Sequence, residues 1–247
     1  MISPIAASYA GRVNEYVSGR PGYPPELLCD LPLADTIVEL GAGTGKFTGL
    51  LASTGKRILA VEPIEEMASR IRVDRPPGVE VLSGSAEAIP VPDDVAGLVC
   101  CASAFHWFDY ERATCEILRV LYKNGALALI WNMRDERVPW VSAFCKLIDS
   151  YGGHSPRQSS AEWRIIFRDS RFKHLATKTY PLAHSMPPRA IVDRALSHSF
   201  IAALNPREQE IVRNRVVELI ESDPALAGKV VIQFPYMTKL HLFRKER

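Results

Sequence analysis

Apolar residues along this chain follow two rhythms. Short, nearly continuous apolar runs at 36–40, 57–62, 79–83, 95–102 and 126–132 each suit a buried strand, because a strand covered on both faces needs no polar alternation. Between them lie segments with helical spacing: Phe47, Leu50 and Leu51, then Ile64, Met67, Ala68 and Ile71, then Tyr110, Ala113, Ile117, Leu118 and Leu121. Strand and helix in regular alternation predict a parallel, right-handed, doubly wound α/β sheet. Asn124-Gly125 reads as the turn into the fifth strand.

The rhythm changes after Trp131-Asn132. One amphipathic helix carries Val141, Phe144, Cys145 and Ile148, and a Gly/Ser/Pro-rich break over 152–160 leads to an aromatic segment with Trp163 and Phe167. Residues 175–183 read as a strand. Asn205, Pro206 and Glu208 spell an N-cap, a first-turn proline and a capping box. The closing runs 230–234 and 238–243 read as a final strand or hairpin. The expectation is a seven-stranded doubly wound sheet with a helical cap inserted in the C-terminal half. Its expected organisation is an N-terminal arm or lid over 1–32, a binding core over 33–132, and cap plus last strands over 133–247. The arm is rich in Tyr and Arg (Tyr9, Arg12, Tyr16, Arg20, Tyr23), and Pro24-Pro25 should start a short helix over 26–31.

Composition adds bounds. In 247 residues, 47% are hydrophobic and 23% charged, the balance of an ordinary globular protein. A net charge of +2 gives no reason to expect nucleic acid or an anionic membrane as partner. Five cysteines without C-x-x-C spacing read as thiols in a reducing cytoplasm, with Cys100-Cys101 packed in a strand. No signal peptide or membrane-spanning run is expected, and no metal site.

Chemistry concentrates at Glu39-Leu40-Gly41-Ala42-Gly43-Thr44-Gly45-Lys46-Phe47. A strand, a glycine turn and a helix start make a nucleotide-type site, since glycine admits positive φ and close approach of a ligand. A phosphate loop would need glycine at position 40 and Ser or Thr at 47, where Leu40 and Phe47 stand. The dinucleotide fingerprint would need a third glycine where Lys46 stands. Glu62 follows the second strand, placed to accept ribose hydroxyls, with Ile64 and Met67 just beyond it as an apolar face for adenine and Pro63 between as a further cofactor candidate. Ser85-Ala86-Glu87 follows the third strand and can form the other adenine wall.

On these residues the chain resembles class I S-adenosylmethionine (SAM)-dependent methyltransferases of the type 11 kind, and among them the small-molecule group that includes trans-aconitate methyltransferases. The resemblance rests on residues 38–48, Arg20 to Pro24, Ala104-Phe105-His106-Trp107-Phe108-Asp109 and Phe234-Pro235-Tyr236-Met237-Thr238. It implies a Rossmann-like fold and SAM as cofactor. Gly41 and Gly43 would line its methionine portion, Glu62 the ribose, and Ser85 and Ala86 the adenine; Glu39, Ala42, Glu87, Tyr16, Arg20, Ala102 and Phe105 complete the expected cofactor set. Where relatives often carry Asp, this chain has Ser85.

A sulfonium is a good leaving group, so the protein must chiefly align an acceptor and exclude water. Expected acceptor contacts are Tyr23, His106, Trp107 and Arg134, with His106 as general base for a hydroxyl. A carboxylate acceptor would instead need cations, for which Arg134, Arg137, Arg164 and Arg168 are candidates. The expected activity is O-methylation of a small molecule in the cytoplasm, by a monomer or homodimer. A nicotinamide-dependent oxidoreductase and a non-catalytic SAM-binding partner protein are the alternatives.

Overall fold

The computed structural model describes residues 20–32, 34–74, 76–152 and 162–246. Seven strands form one sheet: β1 (Thr36–Leu40), β2 (Arg57–Val61), β3 (Val79–Leu82), β4 (Ala96–Ala102), β5 (Leu121–Arg134), β6 (Phe172–Met186) and β7 (Ile232–Lys245), in the order β3-β2-β1-β4-β5-β7-β6. The pairs β1–β2, β1–β4, β2–β3 and β4–β5 are parallel, with Val38 opposite both Leu59 and Val99. Helices α1 (Lys46–Ala52), α2 (Glu65–Asp74) and α3 (Tyr110–Val120) connect these strands. The chain reverses direction between β2 and β4 about β1, which leaves a crevice outside the strand ends where such sheets bind ligands.

Two features depart from the expected elements. Asn124 and Gly125 do not precede β5; they lie within it, as an irregularity between the Ala96–Leu121 and Leu98–Ala126 pairs, with Asn124 at φ 65°. The closing runs are one strand rather than a hairpin, since β7 passes straight through Pro235. The Asp135 amide donates to the Pro235 carbonyl and Thr238 Oγ1 donates to Asn132 Oδ1, so numbers rise on β5 as they fall on β7, the antiparallel sense. Proline keeps its carbonyl, which is the group this contact uses.

The chain divides into two compact units. One comprises Tyr23–Asn132, Pro156–Tyr180 and Thr238–Arg247, and contains β1–β4 and α1–α3. Its core joins Leu27, Ile37, Phe47, Leu51, Ile58, Leu98, Cys100, Ile130 and Leu240, all essentially inaccessible. Each such Leu or Ile contributes about 1.5–3 kcal/mol by leaving water. Cys100 and Cys101 are buried in β4, where packing expects them.

The other unit comprises Met1–Gly22, Met133–Ser155 and Pro181–Met237. It holds α4 (Pro139–Asp149), α5 (Arg189–Leu196), α6 (Ser199–Ala202) and α7 (Pro206–Ser222). Its own core includes Val141, Phe144, Ile148, Ile191, Ala195, Val212, Val216 and Phe234. The capping box at α7 is complete: Asn205 Oδ1 accepts the Glu208 amide at 3.0 Å, and Glu208 Oε2 accepts the Asn205 amide at 3.1 Å. No helix among the described residues is long and apolar enough to cross a membrane.

Candidate active site

The loop between β1 and α1 takes its shape from its glycines. Gly41, Gly43 and Gly45 all have positive φ, and the Gly41 and Ala42 amides donate to the Val61 carbonyl at 2.9 and 3.2 Å. At Gly41 two demands coincide. Its φ is +67°, and a Cβ there would come within 2.6 Å of the Ala104 Cβ. Any side chain would both strain the turn and strike the segment after β4.

Glu62, at the end of β2, ties this loop to the start of α2. Its Oε2 accepts the Gly43 amide at 2.8 Å and its Oε1 accepts the Ile64 amide at 2.9 Å. An ionised carboxylate offers about four lone-pair sites, so two remain for a ligand. Burial raises the Glu62 pKa, opposed by those two amides. Glu39 is buried deeper, and Thr48 Oγ1 donates to its Oε2 at 2.6 Å. Burial, with a contribution from the Glu62 charge and against the Thr48 hydrogen bond, pushes its pKa up to about 8. Thr44, between the last two glycines, carries a buried hydroxyl oxygen with no hydrogen-bond partner among the described residues. A buried hydroxyl without a partner costs about 1–3 kcal/mol, and a polar ligand in the loop would satisfy it.

The expected adenine wall is firmly built. Ala86 is buried, Ser85 pairs with Ala88, and the carbonyls of Ile89 and Val91 each accept from the Arg119 guanidinium at 2.9 and 2.8 Å. Glu116 receives the Ile89 amide at 2.8 Å and is itself held by Arg119. Glu87, expected at the cofactor, accepts the Asp109 amide through Oε1 at 3.0 Å and so braces the next segment. Pro63, Ile64 and Met67 follow Glu62, with Ile64 and Met67 largely buried.

After β4 the chain turns at Ser103, with φ 57°, beyond Ala102 and ahead of the short 3-10 turn Phe105–Trp107. Tyr23 reaches this turn: its hydroxyl lies 3.2 Å from Ser103 Oγ and its ring packs edge-on against Phe47. His106 lies half-buried beside Trp107, and its Nδ1 accepts the indole N–H of Trp131 at 3.2 Å. That contact works against the general-base expectation. A nitrogen that accepts carries no proton, so the neutral imidazole keeps its proton on Nε2 and presents a donor there. Trp131 is itself fixed, buried against Trp163 at 4.3 Å.

Tyr16 lies outside the described residues. In the helical unit, Arg20 donates to the Ser197 carbonyl at 3.1 Å, and Arg134 Nη1 lies 3.3 Å from His198 Nε2. Arg137 is exposed and chelated by Asp135, while Arg164 and Arg168 are exposed on the turn Glu162–Arg168 of the sheet unit. Motifs give Arg119 and Trp131 no role, because their contacts rest on partners distant in sequence.

The family described as "Methyltransferase domain" matches residues 38–129. An uncharacterized methyltransferase-like protein of Schizosaccharomyces pombe is 36% identical over 241 residues, spanning 95% of this chain and 94% of that one. A candidate type II methyltransferase from Anaeromyxobacter dehalogenans has the same fold, with a TM-score of 0.69 at 21% identity over 92% of this chain and 97% of that one. A geranyl diphosphate C-methyltransferase from Streptomyces coelicolor, solved with S-adenosyl-L-homocysteine, aligns with a TM-score of 0.51 at 16% identity over 90% of this chain and 76% of that one.

Proposed function

This chain belongs to the class I SAM-dependent methyltransferases, and we propose that it methylates an oxygen of a small acidic molecule. Such membership favours neither an oxidoreductase nor a non-catalytic partner protein. The residues of the glycine loop fit the cofactor. Two lone-pair sites on Glu62 suit the ribose hydroxyls, the Thr44 hydroxyl has no hydrogen-bond partner among the described residues, and Gly41 and Gly43 place no side chain in a ligand's way. When bound, SAM supplies a methyl group on a positively charged sulfur.

The observation that carries the choice of acceptor is the hydrogen bond from Trp131 to His106 Nδ1. It makes His106 a donor through Nε2, suited to orienting an oxygen that already bears negative charge. A carboxylate needs no base before it attacks, whereas an alcohol or ammonium does. Trp107 and Tyr23 supply shape beside it. In this reading His106 positions and Glu62 holds, and the rate comes from alignment and exclusion of water.

A radiolabelled methyl-transfer screen over carboxylic acids, phenols, alcohols and amines tests the proposal, with products challenged by mild alkali. The expected product is a methyl ester that alkali saponifies. A product stable to alkali, or one formed only from amines, would sink it. His106→Gln should then lower turnover while leaving the pH profile unchanged between about 6 and 8.5, since no base with an ordinary imidazole pKa is lost.

A further inference from the structure

Within the sheet unit, the turn Glu162–Arg168 packs on the turn Phe105–Trp107 that carries His106. A 3-10 turn has three residues per turn, so positions 163 and 166 share one face. Trp163 and Ile166 are buried there, while Arg164, Ile165 and Arg168 on the other faces are exposed. The Trp163 ring lies on the buried Trp131 ring, centroids 4.3 Å apart and planes inclined by 38°. His241 meets both rings, at 6.1 Å from Trp131 and 5.4 Å from Trp163. Phe167, on the same turn, packs on His241 at 5.4 Å and on Phe243 at 5.2 Å. The far end of the turn is tied as well: Asp169 accepts the Tyr110 hydroxyl at 2.7 Å and is chelated by Arg171. Tyr110 opens α3, just beyond the His106 turn. The His106 segment therefore meets the aromatic turn through Trp131 on one side and Tyr110 on the other.

An indole has one polar atom, and burial demands only that its N–H find some acceptor. Trp131 lies toward the carboxyl end of β5, the end at which open α/β sheets bind ligands. There its N–H meets His106 Nδ1 at 3.2 Å, a nitrogen that can accept in only one of the two neutral tautomers. An N–H lies in the plane of its ring, so whatever sets the plane of Trp131 also aims the donor. Trp163 packs on a face of that ring.

We propose that Trp163 is a positioning residue for methyl transfer: packed on Trp131, it aims the indole N–H that keeps the His106 proton on Nε2. This rests on the reading of His106 as the group that orients the acceptor, but its first test needs no acceptor. Neighbouring groups hold their charge during that test. His241 is pulled down to about 4, by burial first and then by the charges of Lys239, His174 and Arg164. Asp169 is pulled down to about 2, chiefly by Arg171, and burial with Asp169 pushes Tyr110 above the usual phenol range.

The first test is a proton–nitrogen spectrum of the full chain with ring-labelled histidine, recorded at pH 8. Its coupling pattern shows which ring nitrogen bears the proton, and His106→Gln assigns the signal among six histidines. Wild type should show His106 protonated on Nε2. Trp131→Phe keeps a packed ring without the N–H and should give a mixture of tautomers. Trp163→Leu should move His106 the same way, and Trp163→Phe, which restores a ring against Trp131, should return it toward Nε2. Trp163→Met carries the same expectation as Trp163→Leu if the latter does not fold.

Turnover is the second readout. Trp131→Phe and Trp163→Leu should each lower kcat by roughly threefold to tenfold, the worth of one neutral hydrogen bond. The deficit relative to wild type should shrink from pH 8.5 to pH 6, because an imidazolium donates from Nε2 whichever tautomer preceded it. Lost packing alone gives no such slope. Affinity for S-adenosylhomocysteine should be unchanged in all variants. Wild-type His106 protonated on Nδ1, a Trp163→Leu spectrum identical to wild type, or a deficit equal at both pH values overturns the proposal. If the spectra and the slope come out as expected and the product is no methyl ester, the acceptor reading falls and the positioning role stands.

Discussion

Replacing Glu62 with glutamine isolates the contribution of one carboxylate to cofactor capture. In the protein each Glu62 oxygen accepts one backbone amide, from Gly43 and from Ile64. Glutamine keeps one acceptor and turns an NH2 toward the other amide. Two donors then face each other in a buried place, a loss of about 1–3 kcal/mol. Removing a carboxylate whose ionisation burial opposes offsets part of that loss. The net destabilisation should be about 1 kcal/mol, a fall of roughly 2–4 °C in melting temperature for a chain of this size. The variant therefore folds and can be titrated.

The effect on ligand is larger. Losing one charge-assisted acceptor for a ribose hydroxyl removes about 1.5–3 kcal/mol, or roughly a 10- to 150-fold weaker Kd for S-adenosylhomocysteine. Calorimetry on wild type and Glu62→Gln measures this directly. A loosened Gly43 amide could weaken binding without any ribose contact, so the ligand is varied as well. An analogue lacking both ribose hydroxyls should bind wild type poorly and lose little more in the variant. If that analogue loses as much affinity as the parent ligand does, Glu62 shapes the loop and does not touch the ribose.

Glu39 predicts a pH dependence. Its folded pKa lies near 8 against 4.5 for an ordinary glutamate, so the folded state holds the proton more tightly. Stability is then fully present below about 4.5 and is lost as pH rises through 8, by at most on the order of 5 kcal/mol. Urea titrations across that window should show the decline, and Glu39→Gln should flatten it, leaving the part that the raised Glu62 contributes; an unchanged slope refutes the assignment. Gly41→Ala should abolish S-adenosylhomocysteine binding, because its Cβ would meet Ala104 at 2.6 Å on a backbone of φ +67°; binding within a fewfold of wild type would show that the loop can yield. Asn205→Ala removes the α7 cap, which holds the Glu208 amide at 3.0 Å. It should cost about 1 kcal/mol in urea denaturation and leave cofactor affinity alone.

The sheet core was legible because its signals are local. A buried parallel strand is an apolar run, and the glycine loop announces its own backbone, so β1 falls at 36–40 as read and the turn follows at once. The capping box at Asn205 and Glu208 is likewise a pattern four residues long, and it forms as spelled. What the chain concealed is what depends on distant partners. Asn124-Gly125 reads as a turn from its own residues, but pairing with β4 on both sides absorbs it into the strand. His106 reads as a base from its residue type, and the indole of Trp131, 25 residues on, reverses the inference by claiming Nδ1.

Arg194 is the sharpest case. Alone it is one arginine on a short helix, a residue type that usually reaches water. Arg137, Arg164 and Arg168, candidates from sequence because they lie in the cap-side segments, do reach it. Arg194 does not, because α5 turns that position inward with Ile191 and Ala195, and α6 follows closely enough for His198 to meet its fork. A charge buried by its own helix must find its partners in the rest of the fold. Those the described residues supply, Arg20, Arg134, His198 and Tyr236, come from four separate stretches of the chain, which is why no local pattern announces them.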